Sequence, residues 1–363
     1  MGNSKETIRI YKQNKETALS LIFFVAIVAK VLQHFVLPDY YYYDNFRICE
    51  MVKDLDYKRK WPGSYEVCAD FFRNINFFKF DSMLQWSMLG GVLLTIVIIL
   101  IFSKTEGMDK TQMIFALMYV GILNIYIFNI GKDAIQFLIF LVLYVLMNLK
   151  LPQIIKVLAS FGVLYWESTF YRDYYIIIAF FFIAVYWLLG VLRKFKAKMT
   201  TMKIIFVIIM LYVIVFAFLS VAKVTMNEGY NEIMSCKAHT TELGANSTID
   251  DKINHNKNTV LYMGNYIINS IRMAFPIELV KGGIFYFPFI VFEAFLIYFV
   301  IKAFRQLYLM ERSQVIALAI FMGYFLGSVL FEPDFGSFVR HEAATFPVAY
   351  LFIFTPKNWK NDY

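Results

Sequence analysis

Between Phe331 and Pro347 the chain places Glu332, Asp334, Arg340, His341 and Glu342 between two segments apolar enough to cross a bilayer. Ionisable side chains in such a position are costly to desolvate, so they read as functional or tightly paired. Arginine suits phosphate, because its planar fork holds two oxygens at once and it stays charged. A helix starting near Asp334 would add free backbone N–H groups for an anion. His341 and Glu342 are candidate proton carriers. Arg340, His341 and Glu342 are consecutive, so on a helix they project about 100° apart and cannot all enter one cavity. Arg340 is expected to point inward with His341 and Glu342 at its flank. Glu332 and Asp334 are expected to form the loop that positions it. No metal partner accompanies His341, so no metal site is expected.

Four other places carry similar groups. Lys132-Asp133 opens an apolar run; Asp133 suits a helix start, and Lys132 is a candidate phosphate ligand. Glu167 closes a short aromatic run, where it is a candidate proton acceptor or a partner of Arg172, itself a candidate anion ligand. Asp173 is a second candidate acceptor. Arg272, with Glu278 nearby, is a further candidate for phosphate. Glu293 lies inside an apolar run, where a carboxylate marks a transport path or bonds to a neighbouring helix.

Such groups need rigid elements to hold them, and composition says which. Hydrophobic residues make up 60% of the chain and charged ones 17%, against about 25% charged in soluble domains. The runs that result indicate an all-α polytopic membrane protein forming a single integral-membrane domain over 1–363. The net charge of +8 does not indicate nucleic acid, because the basic residues sit at the ends of apolar runs, as topology requires. The 39 Phe and 25 Tyr suit lipid-facing surfaces and interfacial belts. Cys49, Cys68 and Cys236 show no metal-ligand spacing; Cys49 and Cys68 either form a disulfide or remain thiols.

About ten spans are expected, at 17–37, 84–103, 112–130, 134–149, 153–168, 174–192, 203–223, 284–301, 314–331 and 336–355. The first reads as a signal anchor. Lys5, Arg9, Lys12 and Lys15 precede it, Arg193, Lys194, Lys196 and Lys198 follow the sixth, and Lys357 and Lys360 follow the last. These place both termini in the cytoplasm. Segment 38–83 becomes an outer loop. So does 224–283, with Asn246, Asp250 and Asp251 in its solvated part and an interfacial or re-entrant helix at 261–280. This topology gathers the candidate acids and bases on one outer face.

The layout, the Asn129-Ile130-Gly131-Lys132-Asp133 boundary, and Ser337-Phe338-Val339-Arg340-His341 leading to Pro347 resemble bacterial polysaccharide polymerases of the Wzy and EpsG-like kind. Two departures stand out: Lys132-Asp133 replaces an Arg-Gln pair, and Trp166-Glu167 stands near where a His is usual. The resemblance implies a GT-C-like fold and no cofactor. It implies a substrate of oligosaccharide repeat units on undecaprenyl pyrophosphate, joined at the outer face of the bacterial inner membrane. It also implies a chain-length regulator protein as a partner, besides membrane lipids. Such transfer needs cations for the departing pyrophosphate, here Lys132, Arg172, Arg272 and Arg340, and a base, here Glu167, Asp173 or Glu342. The competing readings are a lipid-linked oligosaccharide flippase and a GT-C enzyme using a polyprenyl-phosphate sugar. A membrane acyltransferase fits less well, since no arginine precedes His34 in its span.

Overall fold

Long apolar runs with few turn residues fold as helices in the computed structural model, which describes residues 2–195, 199–241 and 247–354. Among the described residues no β-strand forms, and Thr248 and Asp334 make one isolated antiparallel bridge. Lys196, Lys198, Asn246, Lys357 and Lys360, invoked above, lie outside the described residues. The helices in chain order begin with α1 (Gly2–Phe35), α2 (Tyr43–Lys53), α3 (Leu55–Lys58), α4 (Ser64–Asn74), α5 (Met83–Ser103), α6 (Lys110–Ile122), α7 (Lys132–Asn148) and α8 (Gln153–Phe170). They continue with α9 (Tyr175–Lys194), α10 (Thr201–Thr225), α11 (Asn227–Thr241), α12 (Thr259–Ala274), α13 (Phe287–Arg305), α14 (Arg312–Phe331), α15 (Phe335–Ala344) and α16 (Phe346–Ile353).

Among the described residues, seven segments are long and apolar enough to cross a membrane: α1, α5, α6 with the turn after it, α9, α10, α13 with the turn before it, and α14. The protein is an all-α polytopic membrane protein. The other three expected spans also form helices, but of different character. α7 has 17 residues, and α8 carries Lys156 and Glu167. The segment expected at 336–355 is broken at Thr345 into α15 and α16. Pro347 lies in the first turn of α16, where its missing N–H costs nothing to the helix that follows but gives none to the turn before.

The chain divides into two compact units. Of the described residues, the first holds 2–149, 166–173 and 343–354; the second holds 150–165, 174–195, 199–241 and 247–342. In the first unit the expected outer loop 38–83 is largely helical. α2 packs on α4, with Arg73 donating to the carbonyls of Met51 and Val52. Cys49 and Cys68 are free thiols there, and burial pushes both up from their ordinary values, keeping them protonated.

Also in the first unit, α6 ends in a π-helical turn, Leu123–Ile127, before the chain breaks and restarts as α7. A π turn leaves backbone carbonyls out of register, and inside a membrane each must find a donor. Lys30, 8% exposed, supplies it. Its ammonium donates to Asn124 O at 2.6 Å, Phe128 O at 2.7 Å and Gln33 Oε1 at 3.0 Å. Lys30→Met keeps the packing but strips the donors, so it is expected to cost about 3 kcal/mol. Unfolding in mixed detergent micelles checks this; a loss below about 1 kcal/mol would show that water replaces the ammonium.

In the second unit α12 covers most of the expected interfacial segment. Its polar residues turn inward, with Asn265 and Asn269 buried. Val260, Leu261, Ile267 and Ile271 are exposed on the other side. An apolar outer face with a polar inner one suits a helix against lipid.

Candidate functional site

In the first unit, the start of α7 and the last turns of α8 bring together Gln136, Glu167, Arg172 and Asp133. Glu167 and Gln136 are fully buried, and Arg172 is 7% exposed. The Glu167 carboxylate lies against Gln136 and near the Arg172 guanidinium, with no hydrogen bond of good geometry to either oxygen. Arg172 Nη2 stands 3.5 Å from Asp133 Oδ1. Gly131, at the N-cap of α7, has no side chain with which to cap the helix. Asn45 Nδ2 instead donates to Ile130 O at 2.6 Å, and the Tyr171 hydroxyl to Lys132 O at 2.6 Å. The break before α7 is thereby fixed in place.

Lys132 turns toward α2 and α4. Its ammonium lies 3.2 Å from Asp44 Oδ2 and 3.8 Å from the centroid of the Tyr65 ring. The Tyr65 hydroxyl donates to Asp44 Oδ1 at 2.6 Å. Arg47 lies 3.6 Å from the same carboxylate, with its guanidinium 3.8 Å over Trp61. Asp44 is thus the common anion of two cations and a phenol, a partner set that charge-pair spacing in the sequence does not reveal. Asp173 is exposed.

In the second unit, residues 332–335 are pinned by residues 247–249. Ile249 N donates to Pro333 O at 2.8 Å and Phe335 N to Ser247 O at 2.9 Å. Asp334 then caps α15, accepting from Ser337 N and Ser337 Oγ, each at 2.8 Å. The three consecutive residues of α15 diverge, as helical geometry demands. Arg340 Nη2 donates to Ser337 Oγ at 3.3 Å. His341 Nδ1 meets Glu332 Oε1 at 2.7 Å. The carboxyl of Glu342 lies close to that of Glu293 of α13.

Arg272 has a different fate from the other arginines. Its five donors go to Glu278 Oε1 (2.6 Å) and Oε2 (3.1 Å), Asp250 O (2.8 Å), Asp250 Oδ1 (3.2 Å) and Asn269 Oδ1 (2.8 Å). No donor is left over for a phosphate, so Arg272 braces α12 to the segment 250–278. Lys237 of α11 is buried near Asp251, Arg272 and Glu332, and burial lowers its ammonium to about 8. It was not singled out from the sequence, because its polar segment carries no apolar periodicity to mark a buried face. Gln136 left a weak signal: an amide inside the apolar run Ile135-Gln136-Phe137.

The structure therefore places Lys132, Glu167 and Arg172 in the first unit, and Arg272, Arg340, His341 and Glu342 in the second. Among the described residues no three His, Cys, Asp or Glu side chains converge as metal ligands would. What the second unit's arrangement can do chemically is limited but definite. A histidine donating from Nδ1 to a carboxylate carries its basic lone pair on Nε2, and an arginine one residue away supplies positive charge. No family model, curated protein sequence or solved structure matches this chain.

Proposed function

We propose that the protein is a bacterial polysaccharide polymerase of the Wzy and EpsG-like kind, joining undecaprenyl-pyrophosphate-linked repeat units at the outer face of the cytoplasmic membrane. The observation that carries this reading is the 2.7 Å His341–Glu332 pair beside Arg340 on the short, capped α15. In the reaction an acceptor hydroxyl attacks the anomeric carbon, the bond from that carbon to the lipid pyrophosphate breaks, and the hydroxyl proton passes to a base. Glu332 orients His341 so that Nε2 takes the proton. Arg340 stabilises the charge that develops on the departing pyrophosphate. Glu167 with Arg172 stays as a second acid–base set. A flippase is the competing reading, and Glu293 inside α13 is the observation in its favour.

The test is an Arg340→Ala and Arg340→Lys pair, scored for polymer ladder length in the native host. Alanine is expected to lower polymerisation roughly 100-fold while single repeat units still reach the surface. Lysine keeps the charge but not the fork, so it should restore only part of the ladder. Loss of all surface glycan, with units trapped inside, favours the flippase. Normal ladders in both variants remove Arg340 from the site.

A further inference from the structure

Near the end of α1, the neighbours of His34 fix which of its ring nitrogens carries hydrogen. The Lys30 ammonium donates to Gln33 Oε1 at 3.0 Å, so Gln33 must present its amide oxygen there. Turning the amide over would set N–H groups against the ammonium, and Gln33 Nε2 accordingly stays without an acceptor. An amide oxygen only accepts. The Ser87 hydroxyl, 2.9 Å from the same Oε1, therefore gives its one hydrogen to Gln33. His34 Nε2 lies 3.0 Å from Ser87 Oγ. With the hydroxyl hydrogen spent, Nε2 must be the donor, which leaves Nδ1 of the neutral ring with a bare lone pair. Among the described residues Nδ1 makes no hydrogen bond, and His34 is half-buried, so a ligand can reach it.

His34 stands near one end of a groove of about 300 Å³ between α1 and α5, walled by Phe23, Ile27, Val31, Leu84 and Met88. Both helices are long and apolar enough to cross a membrane. From Phe23 to His34 the groove follows α1 for about 16 Å. That is the depth of one leaflet, half of a hydrocarbon core about 30 Å thick. We propose that the groove binds a lipid with a hydroxyl-bearing headgroup: one acyl chain lies between α1 and α5, and a headgroup hydroxyl donates to His34 Nδ1. An anionic oxygen at that nitrogen would set lone pair against lone pair. An ammonium donor would meet the charge of Lys30, one helical turn deeper. A neutral hydroxyl meets neither penalty. The inference does not depend on glycosyl transfer, since a transporter with this groove would hold the same lipid.

Two measurements on the full chain in detergent micelles test it. The first offers an equimolar mixture of phosphatidylglycerol and phosphatidylmethanol with identical acyl chains, which share one negative charge and differ in the headgroup hydroxyls. Native mass spectrometry should show the wild type retaining about fivefold more phosphatidylglycerol, the ratio expected of one hydrogen bond. His34→Phe removes the acceptor and Val31→Trp fills the groove, so each should bring the ratio to one. Equal retention by the wild type, or a preference that survives either variant, overturns the site. The second measurement reads the sequentially assigned nitrogen-15 shifts of His34 in the wild type. They should report the neutral ring with hydrogen on Nε2, and the Nδ1 signal should move when phosphatidylglycerol replaces phosphatidylmethanol. Hydrogen on Nδ1, or an Nδ1 signal indifferent to the lipid, refutes the proposal. Should either variant fail to fold, this wild-type measurement decides alone.

Discussion

Gly323→Leu is expected to cost more than about 3 kcal/mol and to abolish the close contact of α9 with α14. The two helices meet through Gly323 and Gly327, one helical turn apart, in a Gly-x-x-x-Gly spacing that lets backbones approach. A methyl on Gly323 would lie 2.6 Å from Phe182 N and 2.9 Å from Phe182 Cα. Those are backbone atoms, which cannot rotate aside. Even alanine should therefore lose stability. Its helix propensity favours the variant by about 1 kcal/mol, against an overpacking cost of about 3 kcal/mol, for a net loss of about 2 kcal/mol. At Gly327 the new methyl would meet Ile178 Cγ1 at 2.5 Å, a side-chain atom with some freedom to move, so Gly327→Ala should cost less than Gly323→Ala. Equilibrium unfolding in mixed micelles ranks the three variants. An alanine at 323 as stable as wild type would mean that the helices are not in this register.

Arg172→Leu is expected to lose about 4 kcal/mol, in the range for breaking a buried ion pair by deleting one partner. Arg172 serves Asp133 and lies near the fully buried Glu167. Without it the buried Asp133 and Glu167 lose the guanidinium that serves them. Removing the charge instead of adding a partner should repair part of the damage. Arg172→Leu with Glu167→Gln is expected to be more stable than Arg172→Leu alone, so the effects are non-additive. Thermal unfolding of the two singles and the double forms the cycle. Strict additivity would show that Glu167 and Arg172 do not interact. The same cycle scored for polymer ladders separates roles: if Glu167→Gln keeps stability but loses polymer, Glu167 acts in the chemistry.

The membrane class was legible because apolar run length and composition are local properties, and a bilayer converts them directly into helices. The seven long apolar helices coincide with runs marked out by hydropathy, and α12 emerges where apolar and polar residues alternate around Arg272. That the charges between Glu332 and Glu342 must be functional or paired was also legible, since an ionisable group beside a span is costly to desolvate. The divergence of Arg340, His341 and Glu342 follows from the helical repeat alone.

The partners were not legible. Glu332 meets His341 because residues 247–249 hold the turn between α14 and α15. Lys132 meets Asp44 and Tyr65, from a segment expected to be open loop. Arg272, equal to Arg340 as a phosphate ligand by residue type, is saturated by Glu278, Asp250 and Asn269. The amino-acid sequence determined a polytopic helical membrane protein whose buried charges must be paired. Only the tertiary structure decided which acid faces which base, because pairing depends on helix rotation and on contacts between distant residues, which no local pattern encodes.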